Sequence, residues 1–374
     1  MLNPRDFAQE LKKHDIEFYT GVPDSLLGNF LSYIETNSDN GNFNVSANEG
    51  SAVAFAAGYQ IATQKIPVVY LQNSGIGNAL NPLLSLADPK VYSIPMLLLV
   101  GWRGEPGTLD EPQHLKQGEC TIDLFKSVDI PFYILDCDSN FKKILVNAIG
   151  NIKSRQGPVA LLVKAKSFSN QEIIRNHNGS LTRSLSINKI YSKIKEKDHN
   201  SVIFSTTGKI SREIYKCAVN KFGECNEFLN VGSMGHVNQI ALAFALKNRN
   251  KNIYCFDGDG ACLMHLGSLA TIGEIKPRNF KHLIFNNSAH DSVGGQATCA
   301  PNIDFKKLSG AIGYEFFDKI KFEKDLEDKI NAFINSKKLS LIELIITSEG
   351  NEQLPRTKKT PKENLEIFKK YTSL

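Results

Sequence analysis

No stretch of the 374-residue chain approaches the roughly 20 uninterrupted apolar residues that a membrane-spanning helix needs. The opening segment, MLNPRDFAQELKK, lacks the basic-then-apolar order of a signal peptide, so a cytoplasmic protein is expected. The seven cysteines, at 120, 137, 217, 225, 255, 262 and 299, form no CxxC pair and no Cys/His cluster with zinc-ligand spacing. They read as reduced thiols in core or surface positions. Repeats of solenoid period are missing too. The positive excess is small, +5, and spread along the chain, whereas nucleic-acid binders concentrate Lys and Arg in one patch. With 41% hydrophobic and 22% charged residues, disordered, collagenous and disulfide-dominated classes are excluded, and an enzyme acting on a small anionic molecule fits.

What the chain does contain is an alternation of short apolar runs and helix-period stretches, played through twice. In the first half, Asn3-Pro4 reads as a helix cap and first helical position, followed by a helix to about Lys13 and a short strand around Phe18. Strands are expected at Phe43–Ser46, Val68–Leu71, Pro95–Val100 and Val159–Val163, with helices over Gly50–Thr63 and after Gly77. From 167 to 186 the chain turns polar and reads as a linker between domains 1–166 and 187–374. The pattern then restarts. Strands are expected at Val202–Ser205, Phe228–Val231, Ile253–Phe256, Leu283–Phe285 and Ser340–Ile346, and helices near Ser211–Val219, Asn238–Leu246 and Ser268–Ile275. The basic tail from Leu354 onward reads as a surface strap and a terminal helix. Strand–helix alternation of this kind predicts two α/β domains, each a parallel sheet covered on both faces.

The most specific pattern is Gly258-Asp259-Gly260 at the end of one expected strand, followed after 25 residues by Asn286-Asn287 at the end of the next. That spacing is one strand–helix–strand unit, so it brings Asp259 and Asn287 to the carboxyl edge of a parallel sheet, where open α/β sheets bind ligands. Asp and Asn oxygens suit Mg²⁺ or Ca²⁺. The glycines let backbone N–H groups approach phosphate oxygens, and the helix beginning near Ala261 aims its positive end at the same place. A diphosphate bridged by Mg²⁺ is what such a corner would hold.

On these residues the chain resembles the thiamine diphosphate-dependent enzymes. The resemblance implies that Asp259, Asn287 and the carbonyl of Ala289 bind Mg²⁺. It implies that Glu49, in SANEGSAVAFAAGY, holds a proton on the aminopyrimidine ring, a task suited to a carboxyl in an apolar setting. It places Met234, in Gly232-Ser233-Met234-Gly235, as a wedge between the cofactor rings. Thr207, Gly208 and His236 become candidates for diphosphate contacts, and Asn73, Gly75 and Gly77 belong to the pyrimidine-side loop.

The linker is too short for the central third domain of most 2-oxo acid decarboxylases of this kind. The two-domain arrangement, with GVPDSLL (21–27), NSGIGN (73–78), WRGEPG (102–107) and NNSAHDSVGGQ (286–296), resembles the phosphonopyruvate decarboxylase family and its sulfopyruvate-decarboxylating relatives over nearly the whole chain. Non-oxidative decarboxylation of 3-phosphonopyruvate to phosphonoacetaldehyde and CO₂ through a thiamine diphosphate ylid, in phosphonate biosynthesis, is the activity implied. A sulfopyruvate or other short 2-oxo acid decarboxylase, or a noncatalytic homologue, are the alternatives. Asp24, His114, His290 and Asp291 are candidates for the general acid, with no ranking among them. Arg103, then Lys116, with Ser25 as hydroxyl donor, are expected to hold the substrate's anionic group. His265, His282 and Lys276 read as surface residues and Cys262 as structural. The resemblance also implies a homo-oligomer with active sites at subunit interfaces, and neither nucleic acid nor membrane as partner.

Overall fold

The computed structural model describes residues 1–39, 41–170, 181–347 and 354–373. Residues 171–180 of the expected linker and the last residue of the tail lie outside the described residues. The chain forms two compact units, Met1–Ile174 with Ser292–Ala297, and Arg175–Asp291 with Thr298–Leu374. Among the described residues no helix is long and apolar enough to cross a membrane.

The first unit runs α1 (Pro4–Lys12), β1 (Tyr19–Gly21), α2 (Gly28–Asn37), β2 (Phe43–Val45), α3 (Glu49–Thr63), β3 (Val68–Gln72), α4 (Ile76–Pro82), β4 (Met96–Gly101), α5 (Pro112–Ser127), β5 (Phe132–Leu135), α6 (Phe141–Arg155) and β6 (Pro158–Val163). Its strands make one parallel sheet in the order β2-β1-β3-β4-β6-β5. The apolar runs are continuous because both faces are covered: Val68 and Tyr70 face a core with Phe7, Phe30 and Leu97, while Val69 and Leu71 face another with Ala52, Ala56 and Leu98. Each such buried Leu or Val contributes about 1.5–3 kcal/mol. From β1 the chain steps outward to β2 and returns on the other side for β3, so the strand order reverses between β1 and β3. After β4 an arch over residues 102–111 leads into α5. It is tied down by Trp102 Nε1, which donates to the Gly118 carbonyl at 3.1 Å.

The second unit runs α7 (Arg183–Lys197), β7 (Val202–Ser205), α8 (Lys209–Phe222), β8 (Phe228–Leu229), α9 (Val237–Lys247), β9 (Ile253–Gly258), α10 (Asp259–Met264), α11 (Ser268–Ile275), β10 (Phe280–Asn286), α12 (Phe305–Ile312), β11 (Phe316–Ile320), α13 (Leu326–Asn335), β12 (Ser340–Ile345) and α14 (Pro361–Thr372). Its parallel sheet has the order β11-β12-β10-β9-β7-β8, and here the order reverses between β7 and β9. Again two cores cover the faces, one with Ile203, Tyr254, Phe256 and Leu283, the other with Val202, Phe204, Cys255 and Ile284. The terminal helix α14 is present and starts on a reciprocal cap between Thr360 and Glu363.

Several elements were not expected from the sequence, among them helices α2, α5, α6, α12 and α13. Strands β5 and β11 sit at sheet edges and are only partly buried; FYIL is a run of just four residues and FFDKI carries polar ones. Helix α7 begins at Arg183, inside the stretch read as linker, where the Thr182 side chain accepts the Leu185 N–H. Only its first four residues, Arg183-Ser184-Leu185-Ser186, lie in that polar stretch, and its buried stripe, Ile187, Ile190, Tyr191 and Ile194, follows beyond it.

The arch after β4 depends on close backbone contact: a Cβ at Gly118 would overlap the carbonyl oxygen of Gly104, itself at φ +68°. Gly118→Ala should therefore lower stability by about 1–3 kcal/mol, read as a fall in melting temperature. An unchanged melting temperature would show that the arch yields without cost.

Candidate active site

In the second unit, neighbouring strands deliver the expected cofactor residues to one carboxyl edge. Thr207 and Gly208 follow β7, the turn 232–235 follows β8, Gly258-Asp259-Gly260-Ala261 joins β9 to α10, and Asn287 follows β10. Side chains and backbone stitch these turns together. Thr207 Oγ1 donates to the Val231 carbonyl at 2.8 Å. Gly208, at φ +94°, caps α8, and Gly235, at φ +86°, lies against α10, where a Cβ would stand 2.7 Å from His265 and 2.9 Å from the Ala261 carbonyl. Met234 is half-buried between Ser233, at φ +48°, and Gly235, while exposed His236 stacks on His265 with ring centroids 4.2 Å apart.

Asp259 is buried at the start of α10. Thr298 Oγ1 donates to its Oδ2 at 2.6 Å, and the backbone N–H groups of Gly260 and Asn287 also point to the carboxylate. The Asn287 contact brings the two halves of the motif together. Burial still outweighs these donors and pushes the carboxyl up to about 6. Asn287 Oδ1 accepts the Ala289 N–H at 3.1 Å, which folds the loop after β10 into a tight turn. Next in that loop, His290 packs over Gly260 and is driven down to about 4 by burial, so its ring is neutral at neutral pH. Asp291 is held differently, by Arg183 at 2.9 Å and Lys209 at 2.8 Å.

The first unit has its own carboxyl edge. Glu49, the first residue of α3, is buried, and Asn78 Nδ2 donates to its Oε2 at 2.8 Å. A Cβ at Gly75 would run into the Glu49 carboxyl, so the glycine makes the room in which that carboxyl lies. Burial raises the Glu49 pKa against the opposing Asn78 bond. Gly77, one residue into α4, has open space around it. Asn73 is committed to the backbone: its Nδ2 donates to the Arg103 carbonyl at 2.8 Å and its Oδ1 accepts the Arg103 N–H at 3.1 Å.

Asp24 lies where the strand order reverses. Gln72, ending β3, donates to its Oδ1 at 2.6 Å, and the Leu26 N–H donates to Oδ2 at 3.0 Å. Asp24 is fully buried and its pKa is raised by that burial. Beside it, Arg103 NH1 donates to Ser25 Oγ at 3.0 Å, so the structure unites two of the three residues expected to face the substrate anion. Lys116 is apart from them, largely exposed on α5 and 3.3 Å from Glu119. His114, in the first turn of α5, has a buried Nδ1 with no hydrogen-bond partner among the described residues, and burial followed by the Arg103 charge lowers its pKa.

The partners Asn78, Gln72 and Thr298 were not singled out from sequence. Asn78, in α4, closes the NSGIGN segment, Gln72 ends β3, and Thr298 stands in the loop after β10, with no motif that names its partner. His282 corrects the surface reading. It lies on β10, a central strand buried on both faces, with Nδ1 3.0 Å from the Tyr314 hydroxyl and Nε2 3.4 Å from Asp257. Cys255 shares that cluster, and both ring nitrogens are already engaged, as in a satisfied core histidine. Cys262 is buried in the neighbouring core, and Lys276 is exposed at the end of α11.

The Asp259 environment has a measurable consequence. Between 3.8 and about 6 the unfolded chain loses this proton while the folded chain keeps it, so the contribution is full below 3.8 and is lost as pH rises through about 6. In protein stripped of divalent cations, this one group should take away roughly 3 kcal/mol at most over that window. Denaturation of wild type and Asp259→Asn from pH 4 to pH 7 should diverge accordingly, and parallel curves would contradict the burial argument.

Residues 5–126 match the family described as thiamine pyrophosphate enzyme, N-terminal TPP binding domain, and residues 208–344 match its C-terminal TPP binding domain. Along its whole length the chain is 30% identical to the phosphonopyruvate decarboxylase of Streptomyces viridochromogenes, covering 100% of this chain and 96% of that protein. It is 25% identical to the sulfopyruvate decarboxylase of Methanosarcina acetivorans, covering 99% and 97%. A sulfopyruvate decarboxylase subunit beta from Methanocaldococcus jannaschii is 36% identical over 39% of this chain and 75% of its own length. The chain is thus a member of the thiamine pyrophosphate enzymes, in the decarboxylase family that includes the phosphonopyruvate decarboxylases.

Proposed function

We propose that the chain decarboxylates 3-phosphonopyruvate to phosphonoacetaldehyde and CO₂, using thiamine diphosphate and Mg²⁺. The observation that carries the reading is a Glu49 carboxyl whose pKa burial raises, in a chain alike from end to end to phosphonopyruvate decarboxylases. The residues fit the metal and cofactor. Asp259 is a buried carboxylate, raised in pKa by desolvation, whose charge a divalent cation would stabilise. With Asn287 and the Ala289 carbonyl it would hold Mg²⁺. The turns at Thr207-Gly208, Gly232-Ser233, His236 and Gly258–Ala261 would take the diphosphate, Met234 would pack against the rings, and Asn73, Gly75 and Gly77 would shape the Glu49 side. When bound, the cofactor supplies a thiazolium that accepts the electron pair released as CO₂ leaves.

The protein's own groups do the rest. Glu49 Oε1, above Gly75, shares a proton with a ring nitrogen, a role its raised pKa suits. Arg103 and Ser25 receive the anionic group of the substrate. Among the candidate acids, Asp291 is engaged by two cations and burial lowers the pKa of both histidines, while burial raises that of Asp24 and favours its protonated form. We assign Asp24 as the proton donor to the product carbon. A cytoplasmic homo-oligomer with sites shared between copies completes the reading, and a monomer in sedimentation of the loaded enzyme would contradict it. Full-length likeness to a sulfopyruvate decarboxylase favours sulfopyruvate as the second reading, with the same machinery and a different anion.

Glu49→Gln keeps the shape of the side chain and removes its acid–base character. The variant should bind thiamine diphosphate within a few-fold of wild type yet lose about 100-fold or more in exchange of the cofactor C2 proton. Wild-type exchange in a cofactor-saturated Glu49→Gln variant would remove Glu49 from this role.

A further inference from the structure

We propose that Glu343 is a positioning residue for the divalent cation: through Asn286 it fixes the turn from Asn287 to Ala289, and so sets how tightly the metal is held. The inference rests on the reading that Asp259, Asn287 and the Ala289 carbonyl hold that metal.

Glu343 lies on β12 and is only 1% exposed. A carboxylate buried in a sheet is costly unless its oxygens are matched. The strand register supplies the matches. Lys319 on edge strand β11 and Ile284 on β10 are its neighbours in register, and Asn286 comes two residues after Ile284, so Lys319, Glu343 and Asn286 share one face of the sheet. Lys319 Nζ stands 2.8 Å from Glu343 Oε2, and Asn286 Nδ2 donates to Oε1 at 2.8 Å. Asn286, the last residue of β10, is itself buried. Its Oδ1 accepts the Ser288 N–H at 3.0 Å and the Ser288 hydroxyl at 3.2 Å. Ser288 has φ +58°, in the left-handed region that residues other than glycine enter at a cost, so its turn needs holding from outside. The Ser288 carbonyl accepts the Thr298 N–H at 3.0 Å, and the Thr298 hydroxyl donates to Asp259. A continuous line of polar contacts therefore runs from Lys319 through Glu343, Asn286, Ser288 and Thr298 to Asp259. Asn287 and Ala289 flank Ser288 and are tied to each other by the Ala289 N–H.

The chemistry accounts for a carboxylate at position 343. An Asn side chain can turn either its oxygen or its NH2 toward a given neighbour. A carboxylate only accepts, so it draws Nδ2 toward β12 and leaves Oδ1 for the two donors of Ser288. A glutamine in its place could meet Asn286 with either end, and its bond to Nδ2 would lose the contribution of charge. The first residue of the Asn-Asn pair thus has a task of its own: it holds the turn in which the second one works.

The test reads metal binding and needs no turnover. Mn²⁺ is titrated into thiamine diphosphate-saturated protein and the free ion is followed by electron paramagnetic resonance. Glu343→Gln should bind Mn²⁺ roughly 10–100-fold more weakly than wild type. A merely structural role would lower the melting temperature of the metal-free protein and leave the Mn²⁺ dissociation constant in place, which would overturn the inference. In an Asn286→Ala background, Glu343→Gln should weaken Mn²⁺ binding no further, because Glu343 acts through Asn286, and fully additive losses would also overturn it. If Glu343→Gln does not fold, Asn286→Ala alone cuts the next link and should show the same loss; wild-type affinity there would contradict the proposal. Asp259→Ala separates the two layers. Should it bind Mn²⁺ as wild type does, the metal lies elsewhere and the underlying reading fails; should it lose Mn²⁺ while folded Glu343→Gln keeps it, only the role of Glu343 fails.

Discussion

A parallel sheet places the carboxyl ends of all its strands along one edge, and everything chemical in this chain follows from that constraint. Residues far apart in sequence meet because their strands are neighbours. Asp24, Gln72 and Arg103 follow or end β1, β3 and β4, which are adjacent. Thr207, Asp259 and Asn287 follow β7, β9 and β10, which are adjacent in the other sheet. In both units the strand order reverses at the same place, and the first crossover out and back leaves room above the sheet edge for side chains that the core could not tolerate.

The electrostatics of those edges share one logic. Glu49, Asp24 and Asp259 are each buried, each supplied with hydrogen-bond donors, and each raised in pKa because desolvation exceeds what the donors return. The surplus differs in use. At Glu49 and Asp24 it favours the protonated form, which suits the proton-handling roles proposed for them, and at Asp259 it leaves a carboxylate whose charge a cation would stabilise. Asp110 is the counterexample: paired with the Arg103 guanidinium and given two N–H donors, it is held well below the usual carboxylate range despite burial.

The apolar runs VVYL, PMLLLV, VALLV and LIF were legible as strands because burial on both faces demands continuous hydrophobicity. The same condition is relaxed at the sheet edges, where β5 is a run of only four residues and β11 admits polar ones. It also explains His282 and Lys281, which sit on a central strand and so are buried despite polar side chains. At the site, the spacing from Asp259 to Asn287 announces their meeting, since one crossover separates the strands that carry them. Asp110, Gln72, Asn78 and Thr298 were illegible for the opposite reason. Each reaches its partner across a turn whose path the sequence does not spell out, so only coordinates reveal the pairing.

The central claim is a thiamine-dependent decarboxylation of a substrate carrying a second anion at its far end. CO₂ release from phosphonopyruvate, sulfopyruvate and pyruvate, measured in parallel with and without thiamine diphosphate and Mg²⁺, tests it most directly. The account expects turnover that needs both additions and is fastest on phosphonopyruvate. Turnover confined to sulfopyruvate would contradict the substrate assignment, and absence of turnover on all three would contradict the function itself.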